Sequence, residues 1–138
     1  MVSEPIQIKL PSRPEYCDLI RLAAGGIARK AKFSDDDVED IIMAVAEAAI
    51  NVMRHAYDGR AEEMSVTFTL TKDELEVRVE DRGKGFDVDD MMKKAVKMDP
   101  HHPRSSGFGI LIMKSTMDKV GITSCKDRGS LVTLVKRR

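Results

Sequence analysis

The pattern of apolar and polar residues resolves most of this chain into short, distinct elements. Ile6-Gln-Ile-Lys-Leu10 alternates, which predicts an opening strand ended by Pro11 and Pro14. Leu19, Ile20, Leu22, Ala23 and Ile27 then fall at helical spacing, so a helix is expected from about Arg13, with Gly25-Gly26 marking a close helix crossing. Ser34 followed by Asp35, Asp36 and Asp37 is a helix start: a hydroxyl N-cap, then acids where the helix dipole favours them. Val38, Ile41, Ile42, Val45, Ala49, Val52 and Ala56 continue that helix along one apolar face as far as Tyr57. Asp58-Gly59 turns the chain into two alternating runs, 64–70 and 74–80, joined at Lys72-Asp73 as a hairpin.

Beyond Val88 the pattern weakens to a Met-rich helical stretch ending at Met98, and a loop with paired prolines follows to Ser106. A third helix is expected from about Gly107 to Asp118, packed through Ile110, Leu111, Met113 and Met117. Runs 120–125 and 130–136 form a second hairpin about Asp127 to Gly129. Three helices and about five strands, mostly joined as hairpins, predict an α+β two-layer sandwich in which helices cover one face of a mixed, mostly antiparallel sheet.

Composition narrows the setting. At 138 residues the chain suits one domain, 1–138, that buries about two-thirds of its unfolded surface. Basic and acidic residues balance at 23 each, which gives no support for bulk binding to nucleic acid or to an anionic membrane. Cys17 and Cys125 have no C-x-x-C spacing and require no disulfide, so a reducing cytoplasm is the simplest setting. No apolar run approaches the roughly 20 residues that span a bilayer, and Met-Val-Ser-Glu-Pro lacks the features of a signal peptide.

Three separated stretches carry candidate chemistry. Glu47 and Asn51 stand four residues apart, hence on one helical face, a separation suited to a base beside a metal ligand; His55 extends that face by a turn. Asp81-Arg-Gly-Lys-Gly-Phe-Asp87 places an acid before a Gly-x-Gly turn at a strand exit. Ser106-Gly-Phe-Gly-Ile110 sets two glycines at a helix start, where free N–H groups and the dipole favour phosphate. Each also has a plain reading: an amphipathic helix shows such pairs to solvent, and Asp and Gly dominate turns for conformational reasons alone. The small neighbours Ala46, Ala48 and Ala49 favour close approach to Glu47. His101 and His102 sit between prolines without the ligand spacing of a zinc site, and Met91, Met92 and Met98 suit apolar packing.

The three motifs in this order resemble the Bergerat ATP-binding fold of gyrase, chaperone, mismatch-repair and histidine-kinase ATPase domains. Glu47-Ala-Ala-Ile-Asn-Val-Met-Arg-His-Ala-Tyr57, Ser106-Gly-Phe-Gly-Ile-Leu-Ile-Met113 and Met117-Asp-Lys-Val120 are similar, within it, to the small serine-protein kinases that act as bacterial anti-sigma factors. The likeness runs nearly end to end. It implies ATP or ADP as nucleotide, Asn51 as ligand to Mg²⁺ and Glu47 as general base toward an incoming hydroxyl. It implies that Asp81 accepts from the adenine amine, with Gly83, Gly85 and Phe86 beside the base and sugar and His55 along the pocket. Ser130 stands where that family usually has threonine near adenine. Residues 88–106 correspond to the ATP lid, with Arg104 and the N–H groups of Gly107, Phe108 and Gly109 as phosphate contacts.

The resemblance further implies a homodimer that binds a sigma factor and phosphorylates a serine or threonine of an anti-anti-sigma protein, without direct contact to nucleic acid. A nucleotide-gated binding module without significant transfer, and a detached histidine-kinase catalytic domain acting in trans, are the alternatives.

Overall fold

The computed structural model describes residues 4–56, 63–81, 106–125 and 129–138, with the side chains of 54–56, 106–107, 124 and 125 outside the description. Strand β1 (Glu4–Pro11) leads through a 3-10 turn (Pro14–Tyr16) into α1 (Cys17–Lys30) and α2 (Asp35–Ala56). The hairpin β2 (Glu63–Leu70) and β3 (Glu74–Asp81) follows, then α3 (Ser106–Thr116), β4 (Lys119–Cys125) and β5 (Gly129–Arg137). The strands form one five-stranded sheet in the order β1-β2-β3-β5-β4, and all four pairings are antiparallel. The expected two hairpins are present. Their order is not simply sequential, because the last strand lies inside the sheet and β4 takes the edge.

Local chemistry accounts for the element ends. The Ser34 hydroxyl accepts from the Asp37 N–H at 3.1 Å, which is the expected N-cap of α2. The first helix begins later than Arg13, because Pro14 starts a 3-10 turn and Tyr16, at φ −93° and ψ 1°, separates that turn from α1. At the other end of α1, Lys32 adopts φ 65°, while Lys32 N–H bonds Arg29 O and Phe33 N–H bonds Ala28 O. This is a Schellman closure with lysine where glycine is usual. The Met-rich stretch 88–98 and the loop to residue 105 lie outside the described residues, as do the turns at Asp58-Gly59 and at 126–128.

The core lies between one sheet face and the helices. Met64, Val66 and Phe68 of β2, Leu75, Val77 and Val79 of β3, and Val132 and Leu134 of β5 alternate inward against Val38, Ile41, Val45 and Val52 of α2. Ile20, Ala24 and Ala28 of α1 and Ile110 and Met113 of α3 join the same cluster. Each large apolar side chain fully buried there contributes about 1.5–3 kcal/mol. The opposite sheet face carries Gln7, Ser65, Thr67, Arg78 and Thr133, half-buried or exposed. Among the described residues no helix is long and apolar enough to cross a membrane.

Candidate functional site

The inward positions of the sheet break their own pattern at one end. Along β3 the buried series Leu75, Val77, Val79 continues to Asp81, a carboxylate only 8% exposed. Along β5 the series Leu134, Val132 continues backward to Ser130, also buried. The two residues are register partners, and the Ser130 hydroxyl donates to Asp81 Oδ2 at 2.6 Å. A charge withdrawn from water at a position that packing would fill with valine or leucine is costly unless bonded, and Ser130 supplies a bond. It fixes one oxygen of the carboxylate and so sets the orientation of the other.

Helix α2 breaks its apolar face in the same way. Asn51 is buried among Ala48, Ala49 and Val52, and among the described residues its Nδ2 has no hydrogen-bond partner. Buried amides are nearly always bonded in folded proteins, so an orphaned one marks a place where a ligand or water completes the shell. Glu47, one turn earlier, is half-buried. The feature that ties these two to the phosphate motif is Gly109 of α3: a Cβ placed there would fall 2.8 Å from Glu47 Oε2 and 3.3 Å from Asn51 Nδ2. Glycine at 109 therefore lets the first turn of α3 lie directly against both side chains. Because α3 begins at Ser106, the N–H groups of 106–109 are the ones a helix leaves without intrahelical partners. Donors that favour an anion thus stand beside a carboxylate and a buried amide.

Both halves sit at the same end of the molecule: Leu10 of β1 is in line with Met64, Asp81 and Ser130 across the sheet, and seven residues on along the chain Cys17 lies against Met53, half a turn beyond Asn51 on α2. Lys136, near the end of β5, pairs with Asp37 and Asp40 at the start of α2. From there Ser130 is about 20 Å back along the strand at roughly 3.4 Å per residue. Asn51 is about 16–21 Å on along the helix at 1.5 Å per residue. The sequence-named residues thus fall into an Asp81–Ser130 pair and a Glu47–Asn51–Gly109 cluster facing one end. Phe108 is half-buried and Gly107 lies in the first turn of α3. His55 lies on α2 with its side chain outside the description, and Gly83, Gly85, Phe86 and Arg104 lie outside the described residues. A cavity of about 500 Å³ opens beside Asp81, lined also by Lys9, Glu63, Met64, Ser65 and Glu80. Its walls are mainly residues of the outer sheet face, so it is distinct from the Glu47–Asn51 seam.

The sequence reading assigned no role to Lys136 beyond ending a strand. Its inward place in the β5 alternation, beyond Leu134 and Val132, was the available signal. Cys17 is a free, buried thiol whose Sγ lies 3.8 Å from Met53 Sδ. Burial pushes its pKa above the ordinary 9.0, against a smaller opposing pull from Arg21.

Comparison with known proteins agrees with this geometry. The profile of the histidine kinase-like ATPase domain matches residues 10–136. The serine-protein kinase RsbW of Bacillus licheniformis is 39% identical over 137 residues, covering 95% of this chain and 84% of the relative. The serine-protein kinase RsbW of Bacillus cereus is 34% identical over 137 residues, covering 96% and 84%. Among solved structures, the SiaB–SiaC complex from Pseudomonas aeruginosa superposes with a TM-score of 0.62 at 12% identity, covering 96% of this chain and 89% of the other, which shows the fold. A buried carboxylate at the sheet end, a buried amide beside the glycine-containing first turn of a helix, and likeness to serine-protein kinases over nearly the whole chain agree: the chain belongs to the histidine kinase-like ATPase domain family, among its serine-protein kinases.

Proposed function

We propose that this chain is an anti-sigma factor that transfers the γ-phosphoryl group of ATP to a serine or threonine hydroxyl of an anti-anti-sigma protein, and that it holds a sigma factor when that protein is phosphorylated. The observation that carries the reading is the seam at Gly109, where the first turn of α3 abuts Glu47 and Asn51, whose Nδ2 has no hydrogen-bond partner among the described residues. Asp81, oriented by Ser130, receives the adenine amine at the sheet end. The first turn of α3 receives the phosphates. Glu47 takes the proton of the attacking hydroxyl as its oxygen bonds to the γ-phosphorus, and ADP leaves with the electrons of the broken P–O bond.

The Asn51 amide suits Mg²⁺, because a half-turn about its terminal torsion presents Oδ1, a hard oxygen ligand. When bound, the ion would neutralise charge on the phosphates. Among the described residues no group of three or more His, Cys, Asp or Glu gathers to hold a metal. We place the protein in the cytoplasm as a homodimer. A monomer by light scattering at micromolar concentration would remove the dimer.

Incubation with Mg-ATP and the anti-anti-sigma protein of the same cell tests the reading. The expected product is an acid-stable phosphoserine or phosphothreonine that Glu47→Ala fails to make. An acid-labile phosphohistidine would point to a histidine kinase acting in trans, and sigma regulation that persists in Glu47→Ala would point to a nucleotide-gated binding module.

A further inference from the structure

Helix α3 is held at both ends against α2, and the two holds differ in kind. At its start, Gly109 abuts Glu47 and Asn51. At its end, the Lys136 ammonium donates to the Thr116 carbonyl and lies 3.6 Å from Asp37 Oδ1 and 3.5 Å from Asp40 Oδ2. The lysine side chain is only 12% exposed. It occupies an inward position of β5, where the alternation from Val132 and Leu134 would otherwise place another apolar residue. One cation thus joins the last turn of α3, where free carbonyls and the dipole favour positive charge, to the acidic first turns of α2.

The two holds are in register. From Thr116 back to Gly109 is about 10 Å at 1.5 Å per residue, and from Asp40 on to Glu47 is about the same distance along α2. The helices therefore run antiparallel, and whatever fixes Thr116 beside Asp40 also fixes Gly109 beside Glu47. Other bonds at the end of α3 do not reach α2: Thr116 Oγ1 donates to Ile112 O and Met117 N–H to Met113 O, while just past the helix Asp118 N–H donates to Val135 O and Asp118 Oδ2 accepts from Arg137 N–H, which ties that segment to β5. Lys136 is the polar tie among the described residues that spans β5, α3 and α2 together.

We infer that Lys136 is a positioning residue for phosphate binding: it sets where α3 lies along α2, and so the distance between the α3 N–H groups and the Glu47–Asn51 pair. This rests on the reading of α3 as the phosphate-binding helix. It makes the two halves of the nucleotide site respond differently, because the Asp81–Ser130 pair is built on β3 and β5 without α3. Losing the tie weakens recognition of the phosphates and leaves recognition of the base intact.

The test is calorimetric titration of Mg-ATP and, separately, of adenosine into the full chain as wild type, Lys136→Met, Lys136→Arg and Val66→Ala. Val66 is buried in β2 opposite Val79 and is not among the residues of either half of the site, and its truncation supplies a general loss of stability for comparison. Lys136→Met keeps the apolar stem and removes the charge. It is expected to weaken Mg-ATP binding about tenfold while adenosine binding stays within about twofold; Lys136→Arg restores most of the loss, and Val66→Ala leaves the ratio of the two affinities unchanged. Should Lys136→Met prove too unstable to titrate, Asp40→Asn removes one arm of the tie and is expected to shift the same ratio in the same direction by a smaller factor. An unchanged ratio in both variants, or an equal loss of ATP and adenosine affinity, overturns the role of Lys136 while leaving the nucleotide site standing. No binding of either ligand by wild type overturns the nucleotide reading and this proposal with it.

Discussion

Helix α2 is flanked by two other helices, and its two seams are built from unlike chemistry. Toward α1 the contact is apolar and closed: Gly25 lies against Ile42, Cys17 against Met53, and Ala24 and Ala28 are buried. Toward α3 the seam is apolar only around Ile110 and Met113, and it ends where Gly109 meets a carboxylate and a buried amide. Each seam uses a glycine for close approach. In the first the approach brings backbone to a hydrocarbon and serves packing; in the second it brings backbone to polar side chains, where we propose that the nucleotide phosphates bind. A buried amide without a partner among the described residues is costly to a fold, which is why the proposed function places a ligand at the second seam.

Substitutions separate the seams in order of effect. Glu47→Ala is expected to lower the rate of phosphotransfer by about 10²–10⁴, with Mg-ATP affinity nearly unchanged, as single-turnover transfer and titration together would show. Gly109→Ala comes next. Its methyl group would displace the flexible end of Glu47, and a misplacement of about 1 Å can cost up to 10²-fold. The expected outcome is at least a tenfold fall in transfer rate with Tm within a few degrees of wild type. Gly25→Ala is the matched control: its Cβ would meet Ile42 Cδ1 and Arg29 Nη1, both at 3.0 Å. Overpacking of about 1–3 kcal/mol there is offset by about 1 kcal/mol of helix propensity, so Tm shifts modestly and transfer does not. Equal loss of transfer in both alanine variants would erase the distinction between the seams.

Smaller effects probe each half alone. Ser130→Ala removes the 2.6 Å bond to Asp81 and is expected to weaken nucleotide binding by about 1–3 kcal/mol, read by titration. On the α1 side, Lys32→Gly relieves a left-handed lysine and is expected to raise stability by about 1 kcal/mol in denaturant unfolding, without change in nucleotide affinity. The raised pKa of Cys17 adds a pH dependence to the same seam. The buried thiol resists ionisation, so its contribution is complete below pH 9.0, the unfolded value, and is lost as pH rises above it. Cys17→Ala is therefore expected to flatten the fall of stability at alkaline pH.

Much of this was legible in the sequence because it is encoded locally. The spacing of Glu47 and Asn51, the cap at Ser34 and the two alternating hairpins each depend on residues within a turn or a strand of one another. Asp81 was legible as an acid before a Gly-x-Gly turn at a strand exit, whereas its place in the buried series of β3 emerged only with the sheet. The exchange of β4 and β5 in the sheet order was not, because strand neighbours across a helical crossover leave no short-range signature. Nor was the Lys136 tie, which joins residues 136, 116, 40 and 37 through tertiary packing alone. The late start of α1 turned on one residue, Tyr16, whose backbone separates a 3-10 turn from the helix.

The central claim is that the polar breaks in the core, Asp81 with Ser130 and Asn51 with Glu47, belong to one nucleotide site. Calorimetric titration of Mg-ADP into wild type and into Asp81→Asn tests it most directly. The account predicts micromolar binding that Asp81→Asn abolishes while the fold, followed by circular dichroism, is retained. Folded wild-type protein that binds no Mg-ADP, or an Asp81→Asn variant that binds as tightly as wild type, would contradict it.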